Sequence, residues 1–162
     1  MKNLLIIRHA KSSWAIAGQD DFDRPLNDRG HRDAPMMAEK MKEAKVEIDA
    51  FISSPANRAL TTAGYFAKAY GSRKKNIILF KELYHASSPV FFEVINKIDD
   101  RYKTAAIFSH NPGITAFVNE LTATRIDNMP TCAVFAVKAD TKHWKDFVSA
   151  QKTFWFFDYP KR

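Results

Sequence analysis

The chain predicts a three-layer α/β/α fold, with a mostly parallel sheet, helices on both faces and a C-terminal antiparallel addition. Short continuous runs of branched and aromatic residues at 4–7, 50–52 and 105–108 read as strands buried on both faces, the mark of a parallel sheet. Between them lie longer segments with apolar residues at helical spacing, so strand and helix alternate. Two further strand-like segments close the chain with no helix between them, which predicts the antiparallel addition. No linker, repeat or low-complexity stretch divides the 162 residues, so residues 1–162 are expected to form one domain.

The first strand, about residues 3 to 8, runs into a polar loop with Ser12, Ser13, Trp14 and the acidic cluster Asp20, Asp21 and Asp23, which reads as loop solvation. Asn27 or Asp28 then caps a helix whose Ala34, Met37, Ala38 and Met41 share one face. A second strand near 49 to 53 leads to Ser54 as a helix N-cap and Pro55 at the first helical position. That helix buries Ala59, Leu60, Ala63 and Phe66 and carries Arg58 in its first turn. Next come a strand near 76 to 80 and a helix after Ser88-Pro89 that turns Val90, Phe91, Val94, Ile95 and Ile98 inward. The strand ending at His110 precedes a helix with the stripe Ile114, Phe117, Val118 and Leu121. The closing strands lie near 132 to 138 and 152 to 158.

What stands at the strand ends points to chemistry. Arg8 and His9 follow the first strand, His110 follows the fourth, and ligands bind at the carboxyl ends of strands in open α/β sheets. An arginine there offers a rigid fork of N–H donors matched to phosphate oxygens, and an unprotonated imidazole offers a nucleophile for phosphorus. Arg58 points its charge toward the same sheet edge, where a helix N-terminus also favours an anion. Singly, each residue has a bland explanation: a structural histidine, an arginine in solvent, a capped turn. Jointly, at three strand or helix ends, they read as a phosphate-handling site.

Composition narrows the alternatives. Apolar residues make up 46% and charged residues 27%, ordinary globular values that disfavour disorder, and no stretch approaches the length of a membrane span. The single cysteine, Cys132, reads as a small core hydrophobe and fits a reducing cytoplasm. A net charge of +7 and a pI near 9.5 raise nucleic-acid binding. The basic residues are scattered, however, over Lys40, Lys42 and Lys45, the Arg73-Lys74-Lys75 loop and Lys161-Arg162, and no nucleic-acid motif orders them. They read as a solvated face whose field draws an acidic, phosphorylated substrate.

Taken in order, Arg8-His9-Ala10, Arg24-Pro25-Leu26-Asn27 with Gly30, Ser53-Ser54-Pro55 with Arg58 and Thr62, Glu82-Leu83, and Ser109-His110-Asn111-Pro112 resemble the histidine phosphatase superfamily. These are the RHG-motif phosphatases and phosphoglycerate mutase-like enzymes, and more narrowly the chain resembles their small SixA-like phosphohistidine phosphatase branch. The match covers nearly the whole chain. One departure is Ala10, where the motif has glycine; a backbone angle only glycine reaches would be strained there.

The resemblance implies a phosphoglycerate mutase-like fold and a metal-independent, cofactor-free phosphatase. His9 is the expected nucleophile, with Arg8, Arg58 and His110 cradling the phosphoryl oxygens. Glu82 matches a position that carries a carboxylate in relatives. It serves either as a general acid or as a salt-bridge partner of a pocket arginine. A metal held by His9 and His110 is disfavoured by the neighbouring arginines and the lack of a third ligand. Short connections imply an open site, with Trp14 and the loop around Tyr84, His85 and Ala86 at its rim. The expected substrate is phosphohistidine on a signalling protein, such as a histidine phosphotransfer domain. Small phosphomonoesters, sugar phosphates or nucleotides, are the alternative, and a phosphoprotein-binding module without turnover is the second. No nucleic-acid or membrane partner is expected.

Overall fold

The computed structural model describes residues 1–161. Its elements are β1 (Lys2–Arg8), α1 (Asp28–Glu43), β2 (Ala50–Ser53), α2 (Asn57–Ala69), β3 (Ile78–Leu79), α3 (Ser88–Asn96), β4 (Thr104–Ser109), α4 (Gly113–Val118), β5 (Val134–Ala139) and β6 (Lys152–Asp158). The six strands form one sheet in the order β3-β2-β4-β1-β5-β6. β1 to β4 pair in parallel, and β5 and β6 add antiparallel beyond β1, as expected.

Alternation along the central strands divides the core in two. Leu4 and Ile6 of β1, with Ala105 and Ile107 of β4, face α3, α4 and a short 3-10 turn at Trp144–Asp146. Leu5 and Ile7, with Ala106 and Phe108, face α1 and α2. Leu4, Leu5, Ile6 and Ile7 are all fully buried, and such burial stabilises by about 1.5–3 kcal/mol per side chain. That is why four consecutive apolar residues, rather than an alternating pattern, mark this strand.

Two glycines set how closely the helices approach the strand ends. A Cβ on Gly30 in the first turn of α1 would come 2.2 Å from the Lys11 carbonyl oxygen, and one on Gly113 would come 1.7 Å from that of Ala86. Asn27 is the α1 cap, accepting from the Gly30 N–H at 2.9 Å. The edge strand β3 is shorter than its sequence suggests. A 3-10 turn at Lys74–Asn76 takes up its start, and only Ile78 and Leu79 pair with β2. Ser54 is not the α2 cap: the helix begins at Asn57 after Ala56, and the Ser54 hydroxyl accepts from the Ala56 N–H at 3.2 Å.

Ala10 shows no strain. It lies outside the positive-φ region, is fully buried, and its N–H donates to Thr62 Oγ1 at 3.0 Å. The positive φ falls instead on Cys132, at +61° just before β5. Its N–H reaches both the Arg8 and His9 carbonyl oxygens, at 3.1 and 3.0 Å, and so ties the end of β1 to the start of β5. Burial pushes the Cys132 thiol up, in keeping with a core side chain. Among the described residues no helix is long and apolar enough to cross a membrane.

Candidate active site

The parallel register sets Arg8 beside Ser109, so the residues that follow, His9 and His110, leave adjacent strands at the same level. The His9 N–H donates to the Ser109 carbonyl at 3.1 Å, and the two imidazole centroids stand 5.1 Å apart, tilted by 50°. The first turn of α2 brings in Arg58. Together Arg8, His9, Arg58 and His110 line a cavity of about 230 Å³, with Arg24 in its wall and Trp14 at its side. Four of the five expected site residues therefore converge.

His9 is held in one state. Its Nδ1 lies 2.7 Å from the Ala10 carbonyl oxygen, which only accepts, so Nδ1 carries the proton and Nε2 keeps a free lone pair. The ring is 6% exposed. Burial above all, reinforced by the charges of Arg58, Arg8 and Arg24, lowers its pKa to about 3 against the single opposing effect of the Ala10 bond. His110 is lowered to about 3 as well, by burial first and then by His9 and Arg58. Both imidazoles are neutral at pH 7.

The arginines form the cationic wall. Arg8 donates through Nη1 to the Met129 carbonyl at 2.9 Å, while its buried Nε has no protein partner among the described residues. Burial and then the charge of Arg58 push its guanidinium down from the usual value, a sign of cations crowded together. Arg58 donates through Nη1 to the Asp21 carbonyl at 2.6 Å and through Nη2 to its carboxylate at 2.9 Å. Among the described residues, one N–H on each of these nitrogens and the Nε–H have no protein acceptor. Arg24 is fixed by Asp21 Oδ1 at 2.9 Å, by the Ser13 carbonyl at 3.1 Å and by the Ser12 hydroxyl, and its guanidinium stacks 3.3 Å from the Trp14 ring centroid. An anion entering this cavity meets fixed donors and the positive charges of three arginines and Lys11 in a partly desolvated space.

Glu82 stands apart. It occupies a 3-10 turn at Lys81–Leu83 after β3, its carboxylate is 3.6 Å from Lys97 Nζ, and it is not among the cavity-lining residues. Neither expected arrangement, an acid facing the leaving group or a partner of a pocket arginine, is its position here. Asp21 takes the second of these positions and corrects the reading of the acidic cluster as loop solvation. Its carboxylate accepts from Tyr84 Oη at 2.7 Å as well as from Arg24 and Arg58. Burial acts to raise this carboxyl, but the bonds from Tyr84, Arg24 and Arg58 outweigh it and hold it well below the usual carboxylate range. Arg24 was visible as part of a motif but carried no role; the signal for one is its place ahead of Pro25 in the loop that folds back onto α2.

Of the expected rim, Trp14 lines the cavity and is 75% exposed, whereas Tyr84, His85 and Ala86 are not among its lining residues. Phe22 packs edge-on against Tyr84 at 5.2 Å, and His85, at a φ of +64°, lies tilted against Tyr84 with centroids 3.9 Å apart. His31 and His143 lie elsewhere, bonded to Tyr65 and Asp100. Among the described residues no group of three or more His, Cys, Asp or Glu is placed to hold a metal ion.

Comparison with known proteins identifies the family and the fold. A family model for the histidine phosphatase superfamily (branch 1) matches residues 4–86. An uncharacterized protein of Mycobacterium tuberculosis is 30% identical over 150 residues, covering 86% of this chain and 90% of its own. Among solved structures, the candidate phosphohistidine phosphatase SixA of Agrobacterium tumefaciens superposes with a TM-score of 0.83 at 24% identity over 99% of both chains. The protein histidine phosphatase SixA complexed with tungstate superposes with a TM-score of 0.81 at 22% identity over 97% of this chain and 96% of its own. At those identities the structures speak to the fold; the family model and the mycobacterial relative speak to descent. The chain belongs to the histidine phosphatase superfamily.

Proposed function

We propose that this protein is a phosphatase that passes the phosphoryl group through His9 and acts on phosphohistidine carried by another protein, such as a histidine phosphotransfer domain. The observation that carries the chemistry is the neutral His9 ring, its Nδ1–H given to the Ala10 carbonyl and its Nε2 lone pair left free in a cavity walled by Arg8, Arg24 and Arg58. Nε2 attacks phosphorus, the bond from phosphorus to the leaving atom breaks with its electron pair, and Nε2–P forms. Water then attacks phosphorus, the Nε2–P bond breaks, and inorganic phosphate leaves with His9 restored. Arg8, Arg58 and His110 hold the three oxygens that become equatorial, and Arg24 adds charge from the wall.

The leaving group supports the finer assignment. Among the described residues no Asp or Glu lines the cavity, and the nearby Asp21 carboxylate is held ionised by its three partners. A site whose lining offers no carboxylic acid suits a leaving group that needs little help. A phosphohistidine protonated on its other ring nitrogen is such a case: the ring leaves as neutral imidazole, whose conjugate acid has a pKa of about 6.5, whereas an alkoxide needs a proton as it leaves. The exposed Trp14 beside the cavity suits a phosphoryl group presented on a protein surface.

The test measures phosphate release in chelator from a histidine-phosphorylated phosphotransfer domain, an aryl phosphate and an alkyl phosphate. Preference for the phosphoprotein, abolished in His9→Ala, is expected. Turnover of the small esters alone moves the substrate class to metabolites, and release from none of the three rejects the enzymatic reading.

A further inference from the structure

We infer that Ser54 is a positioning residue that fixes the tautomer of His110, so that His110 presents an Nδ1–H donor to a phosphoryl oxygen in the His9 cavity. The inference rests on the phosphoryl-binding role proposed above and adds to it the residue that makes His110 a donor.

A neutral imidazole carries one proton, and the bond made by one ring nitrogen decides the state of the other. His110 Nε2 lies 2.8 Å from Ser54 Oγ, and its buried Nδ1 has no protein partner among the described residues. Two arrangements satisfy the Nε2–Oγ distance. Either Nε2–H donates to the hydroxyl, leaving Nδ1 a bare acceptor, or the hydroxyl donates to Nε2, leaving Nδ1 protonated.

The remaining bonds of Ser54 separate them. Its Oγ already accepts from the Ala56 N–H at 3.2 Å. Ser54 is fully buried, and His110 Nε2 is the one acceptor that its hydroxyl reaches among the described residues. Were Nε2 the donor, the hydroxyl would accept twice and its own hydrogen would be buried without an acceptor, an expensive state. With the hydroxyl donating, every polar hydrogen of Ser54 is matched. His110, which lines the cavity, then carries its one free hydrogen on the unpartnered Nδ1, and an anion's oxygens there require donors. The opposite tautomer would set a lone pair against those oxygens.

The β2–α2 turn thus serves the site through both its ends. Arg58 comes from the first turn of α2, and Ser54, three residues before the helix, acts on the histidine that follows β4. Phe108 O accepts the Ser54 N–H at 3.0 Å, so the same pairing that aligns β2 with β4 sets the Ser54 hydroxyl beside His110. The adjacent Ser53 hydroxyl donates to the Ser54 carbonyl at 2.8 Å and does not compete for the imidazole.

The experiment is long-range ¹H–¹⁵N correlation on full-length protein labelled in its histidine rings, at pH 7, without and with inorganic phosphate. His110→Asn assigns the signals. Wild-type protein is expected to show His110 with Nδ1 protonated and Nε2 bare, with the Nδ1–H resonance shifting as phosphate is added. Ser54→Ala is expected to shift the ring toward the Nε2–H form and to lower kcat/KM for an aryl phosphate about ten- to a hundredfold, as for loss of one charge-assisted hydrogen bond. Ser54→Thr, which keeps the hydroxyl, restores both readouts. An Nε2–H tautomer in the wild type overturns the inference without reference to any variant's folding, as does an unchanged Nδ1–H tautomer in folded Ser54→Ala. Wild-type protein with the expected tautomer and a phosphate response but no turnover of any phosphate substrate would uphold this inference while refuting the phosphatase reading.

Discussion

Burying two neutral histidines next to three arginines makes the fold sensitive to acid from pH 6.5 downward, beginning where most carboxylates are still ionised. His9 and His110 each have a folded pKa of about 3 against an ordinary 6.5. Below pH 6.5 the unfolded chain takes up a proton at each site that the folded chain refuses. The stability tied to these rings is therefore complete above pH 6.5 and is lost progressively as the pH falls toward 3. Over the whole window this amounts to about 5 kcal/mol per histidine, and between pH 6 and pH 5 to about 1.2 kcal/mol each. At a urea slope of about 2 kcal/mol per molar, each histidine should move the midpoint by about 0.6 M between those two pH values. Urea unfolding at pH 6 and pH 5, at fixed ionic strength, tests this on wild type, His9→Asn and His110→Asn. Each variant should recover about half of the acid-induced drop that the two histidines cause together. A drop in His9→Asn as large as in wild type would mean that His9 takes up a proton in the fold as readily as in the unfolded chain, so that burial does not hold the ring neutral.

Other consequences are equally direct. Gly113→Ala would place a Cβ 1.7 Å from the Ala86 carbonyl oxygen, forcing apart α4 and the loop beside His110. It should cost about 2 kcal/mol or more in urea unfolding, and an unchanged midpoint would show that the loop yields freely. Asp21→Ala removes the carboxylate that orients Arg58 and Arg24 but leaves the main-chain bond to Arg58; kcat should fall about tenfold, while the 40% exposure of this side chain keeps the stability loss near about 1 kcal/mol. Unchanged kcat would show that the backbone carbonyl alone holds Arg58. Glu82→Gln breaks only the exposed pairing with Lys97, so turnover of phosphohistidine should stay within about twofold. A tenfold loss would return Glu82 to the site.

The parts of the site that local sequence rules reveal are those placed by the ends of regular elements. Arg8 and His9 follow a strand whose burial on both faces is written into four consecutive apolar residues, and His110 follows another in parallel register with it. Arg58 sits in the first turn of a helix whose apolar stripe fixes which way it lies. For these residues, knowing the element gives the location of the side chain. Asp21 is different. Its partners Arg58 and Tyr84 are 37 and 63 residues away, and three acidic residues in a polar loop look locally like solvated charge. Only the folded chain shows that one of the three supplies a counter-charge to two arginines.

Glu82 and Ser54 fail as local readings for a related reason, in opposite directions. A carboxylate after β3 has the right chemistry, but a 3-10 turn sets its direction, and there it faces Lys97. Ser54 has the composition of a cap, yet the helix starts later and the hydroxyl meets a histidine 56 residues on. Residue type and motif order identify the groups that can do chemistry. Which hydrogen each group holds, and toward what, is decided by contacts between strand ends that are distant in sequence. The bond from His9 to the Ala10 carbonyl is the exception, since it joins neighbours. The protonation of His9 is therefore set within the strand-end turn itself, while that of His110 depends on β2 and β4 pairing in register. A perturbation that loosens the pairing of β2 with β4 should consequently disturb His110 before it disturbs His9.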